Sequence, residues 1–491
     1  MSARELPAYP NLEQYKKQAK DLFKRCKAGD PEALLRIQER HPRVAKLTLA
    51  AVQLAIAREH GFDSWPKFAK HIVTPAVGDP LSAVWKSAED AVVTGDVAVL
   101  ERLLREHQQM FRTERPRSSW PSGLAPDYSA ADARSIIVCN HDFESWDQFA
   151  SYAEALKDSK SAVAQFERAV EAIVNGDAVS LERLLRHNRS LIRARSLRRH
   201  HATLLHYVGA NGVENFRQRT PNNAVQIAEV LLKAGAAVDA VADMYGGGCT
   251  TLGLVATSIH PQVAGLLHPL IDVLLAHGAQ LDSGGSGGGH ALVNGSLANG
   301  RKDAAEFLAG RGAPLDLEGA AGVGRLDIVK SFFLPDGSLK ATATLAQMKD
   351  GFTWACEYGR TDVVVYLLGR GIDVSELLPR PHGQTGLHWA AHSGHLDTVK
   401  ALLERRAPVH VKDQRFGGSP LDWALHGWND QMRDGKGNDA YYDVVALLVA
   451  AGATVAPGWL RDEIARAHPR MFAVLTRKIR DSSHTGTADS T

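Results

Sequence analysis

The chain has 491 residues, of which 44% are hydrophobic and 23% are charged, so its composition is that of a globular protein and excludes a fibrous or disordered one. Its formal net charge of +2 provides no overall attraction to nucleic acid. The four cysteines lie far apart and lack the spacing of metal ligands, so we expect no bound metal or cofactor and a reducing, cytoplasmic location.

We expect no insertion into a membrane. Residues 1–20 lack the apolar core of a signal peptide. No apolar run of the sequence is long enough to span a bilayer.

The N-terminal third contains an internal repeat. The sequence HGFDSWPKF at residues 60–68 recurs as HDFESWDQF at residues 141–149. Gly-Asp pairs, each followed by a leucine-rich segment, occur at residues 29–30, 95–96 and 176–177. Because each pair suits a turn that leads into an amphipathic helix, we predict an all-helical extension over residues 1–160. The two prolines and the glycine of residues 75–80 predict a linker within it.

A clearer pattern lies towards the C-terminus. Residues 385–388 read Thr-Gly-Leu-His, and Thr385 can cap a helix by accepting from exposed backbone N–H groups. Gly394 suits a left-handed turn to a second helix. The apolar stripe of that second helix consists of Val399, Leu402 and Leu403. The pattern begins again at Ser419.

Looser copies of this pattern come before it, starting near residues 203, 250, 291, 319 and 350. Long insertions interrupt the series at residues 213–223 and 428–440. One such helical pair cannot bury its own apolar face, so its neighbours must stack on it in a solenoid.

The pattern resembles that of the ankyrin-repeat family, whose repeats begin with Thr-Pro-Leu-His. The family's proline is absent at Leu204, Thr251 and Gly386. The resemblance covers residues 165–455 and is closest over residues 383–453. It implies an all-α ankyrin-repeat solenoid at residues 161–455, a helical cap at 456–480 and a disordered tail at 481–491. The helical N-terminal extension is similar to those of some bacterial ankyrin-repeat proteins.

The resemblance also implies a binding or scaffold protein that presents a concave surface to a protein partner. Aligning the inner helices gives one position per repeat on that surface, occupied in order by Tyr207, Leu254, Gly295, Gly319, Trp354, Trp389 and Trp423. A second series runs beside it and consists of Glu357, His392 and His426. We predict that the three tryptophans and the second series bind the partner, because large aromatic residues anchor interfaces. Alternatively, the rings only pack between neighbouring inner helices. Gly295 and Gly319 would leave a hollow beside the tryptophans that could admit a side chain or a small ligand.

A glycine-rich pocket is the alternative site, which would make the protein a small-molecule sensor or an unrecognised enzyme. The loops at residues 245–250 and 283–290 each precede an inner helix, and glycine N–H groups there can hold an anion. The candidate pocket residues are Tyr245, Gly246, Gly247, Gly248, Thr250, His260 and His290. Neither loop has the Gly-Lys-Ser/Thr ending of a phosphate loop, so flexible loops are the simpler interpretation.

Two further clusters favour structural roles. His388, His392 and His395 are close in sequence, but His388 occupies the structural position of the ankyrin family and no carboxylate completes a zinc motif. Residues 186–200 contain six arginines and no acid, which suits phosphate groups, although a solvated helix face is the simpler interpretation. We therefore expect neither a metal nor nucleic acid as partner. No catalytic motif occurs, which favours a binding protein and leaves the unrecognised enzyme as the alternative, because catalytic residues can be scattered through a fold.

Overall fold

The structure, a computed structural model, describes residues 47–60, 80–107, 129–282, 291–378, 383–433 and 439–484, together with residue 285 and residues 19, 22–27, 30, 33–34, 36–37, 62, 64–65 and 68. The chain divides into two compact units, Met1–Ala150 and Ser151–Thr491. The domain limits that we predicted at residues 160, 455 and 480 stay predictions.

The helices that begin in the first unit are α1 (Leu49–Glu59), α2 (Pro80–Thr94), α3 (Val97–Glu106), α4 (Ala130–Asn140) and α5 (Trp146–Lys157). The Gly-Asp pairs begin helices in both units, as predicted. Asp96 caps α3 by accepting from the N–H of Val99 at 3.0 Å. Asp177 does the same for the N–H of Ser180, also at 3.0 Å. Each aspartate satisfies a backbone donor that has no partner inside its helix.

The repeated motif of the first unit builds the same aromatic cluster twice. In its second copy, the centroids of His141, Phe143 and Trp146 lie 4.9, 5.7 and 5.3 Å from that of Phe149. In the first copy, the corresponding three rings lie 5.5, 5.4 and 5.4 Å from Phe68. Tilted and edge contacts of this kind stabilise aromatic rings, so the motif is a packing unit of the core.

The helices and strands of the second unit are α6 (Ala162–Val174), α7 (Ala178–His187), α8 (Ala224–Lys233), β1 (Val241–Ala242), β2 (Cys249–Thr250), α9 (Thr251–Thr257), α10 (Ile259–Val263), α11 (Leu267–Ala276), α12 (Leu292–Ala298), α13 (Lys302–Gly310), α14 (Leu317–Gly322), α15 (Leu326–Ser331), α16 (Leu345–Glu357), α17 (Thr361–Leu368), α18 (Gly386–His392), α19 (Leu396–Glu404), α20 (Pro420–Arg433), α21 (Ala440–Ala450), α22 (Pro457–Arg461), α23 (Glu463–Ala467) and α24 (Pro469–His484). Short 3₁₀ helices occupy Arg189–Arg193, Leu204–Gly209 and Asn215–Arg217.

These helices form two parallel rows, which confirms the predicted all-α stack of helical pairs. The inner row consists in order of α6, the 3₁₀ helix Leu204–Gly209, α9, α12, α14, α16, α18 and α20, each packed on the next. In the outer row, α7, α8, α11 and α13 pack in succession, as do α15, α17, α19 and α21. The C-terminal α24 packs on α21 and covers the last repeat. Within the described part of the chain, regular strands are confined to the antiparallel pair of β1 and β2.

The predicted turn glycines are confirmed, and their geometry explains the residue type. Gly394 joins α18 to α19 with a φ of +73°, and Gly359 joins α16 to α17 with a φ of +70°. A side chain strains this left-handed conformation, and a Cβ would also meet the ring of Tyr441 at Gly394 and that of His395 at Gly359. The predicted stripe of α19 is also confirmed, because Val399 and Leu402 are fully buried.

One feature differs from the sequence predictions. The repeat that starts at β2 contains the additional short helix α10 between its inner and outer helices. The C-terminal helix α24 ends at His484. The rest of the predicted tail, 485–491, lies outside the described residues.

Candidate partner-binding site

His388 has the structural role that we predicted. Its Nδ1 accepts from the hydroxyl of Thr385 at 2.8 Å and from the N–H of Thr385 at 3.1 Å. Its Nε2 donates to the carbonyl of Gly418, in the next repeat, at 3.2 Å. Both ring nitrogens are therefore occupied, one by its own repeat and one by the next. Among the residues that the structure describes, no group of three or more His, Cys, Asp or Glu side chains could hold a metal ion.

Trp389 of α18 and Trp423 of α20 form an edge-to-face pair on the inner row, with ring centroids 5.2 Å apart and planes at 72°. The ring of His392 lies 6.4 Å from Trp389 and 5.4 Å from Trp423. The exposed Phe416 lies 6.4 Å from Trp423. These four rings form a partly exposed patch, which we call the aromatic surface.

The two indole N–H groups of the aromatic surface differ in their partners. Trp423 donates to the carboxylate of Asp413 at 3.1 Å. Asp413 also accepts from the N–H groups of Phe416 and Gly418, each at 2.7 Å, so Trp423 is tied to the loop that precedes its own helix. The Nε1 of Trp389 is buried and has no hydrogen-bond partner among the described residues. Trp389 is thus held by packing alone.

Trp354, the third predicted anchor, belongs mainly to the core. Its side chain is only 9% exposed, and its N–H donates to Glu318 at 2.9 Å. Its ring stacks on Tyr358, with centroids 6.3 Å apart. Against Gly322 it packs so closely that a Cβ there would lie 3.1 Å from the Cβ of Trp354. The structure therefore brings Trp389 and Trp423 together and places Trp354 in the packing between repeats.

The second predicted series has three different environments. One carboxylate oxygen of Glu357 is buried and has no partner among the described residues, and burial raises the pKa of Glu357 to about 7. Burial lowers the pKa of His392, with Asp430 opposing the shift. His426 is exposed and meets the ring of Trp459 edge-on at 4.9 Å.

The earlier members of the aligned inner-row series do not lie on a surface. Tyr207 and Leu254 are each only 1% exposed, so both are core residues. The predicted hollow at Gly319 is not present, because a Cβ there would lie 2.6 Å from the amide oxygen of Asn294. Side chains of the preceding repeat fill this space, so the accessible part of the row is limited to its C-terminal repeats.

The comparisons with known proteins agree with this architecture. A family model described as "Ankyrin repeats (3 copies)" matches residues 317–415 and, in an overlapping match, residues 352–456. The chain contains ankyrin repeats. Such repeats are generally protein–protein interaction modules, so a binding role is supported at that level. The aromatic surface lies within the matched repeats.

Two curated relatives share part of the ankyrin region. Inversin of Gallus gallus is 38% identical over 77 residues, which are 16% of this chain and 7% of inversin. The E3 ubiquitin-protein ligase hecd-1 of Caenorhabditis elegans is 36% identical over 77 residues, which are 16% of this chain and 3% of that protein. The chain thus spans less than a tenth of the length of these relatives.

A solved structure, the human ASB11 ankyrin repeat domain, aligns with a TM-score of 0.30 and 20% identity, over 59% of this chain and 99% of that one. Within the described parts of this chain, no helix is both long and apolar enough to cross a membrane.

The two glycine-rich loops meet at Thr250 and Gly285, and the polar groups of Thr250 and Tyr245 have partners within the protein. The N–H of Thr250 donates to the carbonyl of Gly285 at 3.0 Å. The hydroxyl of Thr250 caps α9 by accepting from Gly253 at 3.2 Å. The hydroxyl of Tyr245 donates to Asn211 at 2.7 Å. Both the N–H and the hydroxyl of Thr250 already have partners within the repeats, which leaves them little capacity to bind an anion.

Among the remaining predicted pocket residues that the structure describes, no polar or ring contact joins His260 to the glycine-rich loop at residues 245–250. The glycines at 246, 247 and 248 have φ values of +91°, +90° and +75°. His260 lies on α10, where burial and the charge of Arg301 lower its pKa. As far as the chain is described, no hydrogen bond, ion pair or ring contact joins His260 to Tyr245. His290 lies outside the described residues. The geometry gives no specific support to a ligand pocket here.

The basic run at residues 186–200 is not a solvated helix face, which corrects the simpler interpretation of the sequence. The helix α7 ends at His187, and a 3₁₀ turn and an irregular segment follow. Arg195 donates to the carbonyls of His201 and Val241, each at 2.8 Å. Arg198 is only 1% exposed. Arg198 is therefore internal, and both Arg195 and Arg198 pair with the chain itself.

An open cavity of about 530 Å³ lies between α7 and α8, lined by Glu182, Leu185, Arg186, Arg189, Ile192, Val230, Lys233 and Ala234. Lys233 is already paired with Glu229 at 2.6 Å. The cavity lies beside the C-terminal turns of α7 and α8, whose carbonyls carry partial negative charge. The cations that line the cavity therefore offset the partial negative charge of the two helix ends, and an anion bound there would lie against those carbonyls.

Sequence reasoning missed a buried charge cluster in the first ankyrin-type repeats. Arg198 pairs with Glu214 and, at 2.6 Å, with Glu167. Arg217 pairs with Glu167 at 2.7 Å and with Glu214 at 3.3 Å. Arg198 also donates to the hydroxyl of Tyr152 at 2.8 Å. Burial alone would raise the pKa of Glu214, but the neighbouring cations, Arg198 first, lower it to about 2.

The sequence signal for this cluster is the insertion at residues 213–223, which carries Glu214 and Arg217 three positions apart on the same loop. The charges are balanced and enclosed, which makes the cluster a structural clamp and leaves no access for a substrate.

Proposed function

We propose that the protein binds a protein partner through its aromatic surface, with Trp389 as the main anchor. The observation that carries this proposal is the edge-to-face pair of Trp389 and Trp423, which stays partly exposed on the inner row. Tryptophan is enriched among the residues that contribute most to binding, because a large rigid ring buries much area at little entropic cost.

The N–H partners of the tryptophans support Trp389 over its neighbours as the anchor. Trp354 and Trp423 each donate to a carboxylate of the protein, so their loss would disturb folding as well as binding. Trp389 makes no such bond among the described residues. Its substitution therefore separates a binding role from a structural one better than the substitution of either neighbour.

The proposed partner is a protein, in the cytoplasm. Arg195 and Arg198 of the basic run are occupied by the chain itself, which disfavours nucleic acid. The cysteines Cys26, Cys139, Cys249 and Cys356 are free, which supports a reducing compartment.

The test begins with capture of partners from native lysate on the wild-type protein and their identification by mass spectrometry. The affinity of a purified partner is then measured for the wild type and for Trp389→Ala. We expect the substitution to weaken binding by about 2 kcal/mol, or roughly thirtyfold.

A matched control is Trp146→Ala, which removes a partly buried tryptophan from the first unit. Circular dichroism establishes that both variants are folded. If the partner binds Trp389→Ala as tightly as the wild type, the aromatic surface is not its site.

A further inference from the structure

Three tryptophans on or beside the inner row follow a pairing rule, in which an indole N–H donates to a carboxylate, whereas the buried Nε1 of Trp428 has no partner among the described residues. The pairs are Trp354 with Glu318 at 2.9 Å, Trp423 with Asp413 at 3.1 Å, and Trp459 with Asp422 at 2.8 Å. Each pair satisfies a donor and an acceptor that burial would otherwise leave unbonded.

Two groups on neighbouring inner-row helices break the rule in complementary ways. On α18, the buried Nε1 of Trp389 is a donor without an acceptor. On α16, the buried carboxylate oxygen of Glu357 is an acceptor without a donor. Neither atom has a partner within the described residues. An unbonded buried polar group is destabilising, so both atoms favour a ligand that supplies what each lacks.

The surrounding charges specify the sign of that ligand. Lys349 and Arg360, the cations closest to Glu357 along the chain, are already paired with Glu376 and Glu306. Glu357 therefore has no intramolecular cation from these positions. A buried carboxylate that ionises is stabilised most by a cation that also donates hydrogen bonds.

We propose that the bound partner segment is basic, and that one of its lysine or arginine side chains pairs with Glu357 while a peptide carbonyl of the segment accepts from Nε1 of Trp389. This inference rests on the proposed function, which it deepens by naming the chemistry of the partner. The apolar stem of a lysine or arginine would lie along the ring of Trp389, where its charge also gains from the face of the indole.

The test uses a random heptapeptide library displayed on phage, selected on the immobilised full-length protein. We expect the wild type to enrich peptides that contain lysine or arginine, and we expect Glu357→Gln to lose that enrichment. The matched control is Glu404→Gln, which removes the same charge from the exposed end of α19 in the outer row and should behave as the wild type.

The winning peptide is then synthesised, and its dissociation constant is measured by fluorescence anisotropy. Glu357→Gln should raise the dissociation constant of the peptide at least tenfold. Replacing the peptide's basic residue by methionine should weaken binding to the wild type but leave binding to Glu357→Gln unchanged. Trp389→Phe keeps a ring but removes the N–H, and we expect it to weaken the peptide severalfold.

Each other outcome has a definite meaning. Enrichment of neutral or acidic peptides, equal binding by Glu357→Gln, or no enriched peptide at all would overturn the inference. If the enriched neutral or acidic peptides still require Trp389 for binding, the proposed function stands and only the inference of a basic partner fails. Peptide binding that survives Trp389→Ala counts against the proposed function itself.

Discussion

Arg198 and Glu214 form an ion pair inside the protein, with side chains that are 1% and 0% exposed. Glu214 belongs to an insertion in the repeat pattern, and Arg198 belongs to the loop before the first complete match to that pattern. The pair therefore ties the insertion to the adjacent loop, and Glu167 connects both to α6. An exposed ion pair could not serve in this way, because water would weaken it.

Removing one partner of this cluster should be strongly destabilising. Arg198→Met keeps much of the volume but leaves Glu214 and Glu167 with less compensation, so we expect the free energy of unfolding to fall by about 3–5 kcal/mol. The control is Arg325→Met, which breaks the exposed pair with Asp327 and should leave the free energy of unfolding almost unchanged. Urea unfolding followed by circular dichroism measures both. Similar losses in the two variants would show that the buried cluster is not a clamp.

Glu357 should make the stability depend on pH in a way opposite to that of an ordinary paired carboxylate. Burial raises its pKa from 4.5 to about 7 in the folded protein, so the folded form holds the proton more tightly than the unfolded chain. Its contribution is therefore lost progressively as the pH rises from 4.5 to about 7. Glu357→Gln cannot ionise, so its stability relative to the wild type should increase over that range.

Thermal unfolding at intervals of pH tests this expectation. The titratable and charged groups around Glu357 are common to both proteins, so the difference in stability isolates Glu357. They lie on the same helix, on elements packed against it or next to it in the chain, and are Tyr358, Glu318, Arg360, His392 and His395. A difference that stays constant between pH 4.5 and 7 would contradict the raised pKa.

His206 should produce the reverse slope on the acid side. Its Nδ1 accepts from Thr203 and its Nε2 donates to the carbonyl of Cys249 at 3.2 Å, and burial lowers its pKa from 6.5 to about 4. The unfolded chain therefore binds the proton first, and the contribution of neutral His206 is lost as the pH falls from 6.5 to about 4.

His206→Gln should cost about 1–3 kcal/mol at neutral pH, because it leaves buried hydrogen-bonding groups without partners. The gap to the wild type should narrow as the pH falls through the same range, which unfolding at fixed pH values measures. If the difference in stability between the two proteins does not change with pH, the pKa of His206 is not lowered in the folded protein.

Two helical glycines should respond oppositely to alanine. A Cβ at Gly427 of α20 would meet the carbonyl oxygen of His392, so Gly427→Ala must separate α20 from α18 and should cost about 1–3 kcal/mol or more. At the exposed Gly310 of α13, no atom lies within 4 Å of a Cβ, so Gly310→Ala should stabilise by about 0.5–1 kcal/mol. Melting temperatures compare the two. A neutral Gly427→Ala would show that α18 and α20 are less closely packed.

The features that the sequence predicted correctly are local ones. The turn at Gly394 needs a left-handed residue at one position, and the ring of His388 reaches Thr385 three residues away. The motif around Phe149 also closes within nine residues, which is why its two copies form the same cluster. Such patterns are readable because each interaction is complete within one repeat or one turn.

The candidate site depends on contacts between repeats, which is why helical spacing predicted only part of it. Helical spacing aligned Trp354, Trp389 and Trp423, but it could not distinguish the enclosed first ring from the two that meet. It also aligned Tyr207 and Leu254, which neighbouring helices bury. The exposure of a helix position depends on what the adjacent repeats place over it.

The sequence by itself determined the repeat, the helical pairs, the turns and the structural histidines, because backbone conformation and capping depend on residues a few positions apart. Only the tertiary structure decided that Arg198 joins Glu167 and Glu214, which are 31 and 16 positions away, and that one carboxylate oxygen of Glu357 and the Nε1 of Trp389 have no partner among the described residues. Those outcomes depend on the stacking of repeats and on one insertion, which set the distances between side chains that no spacing along the chain encodes.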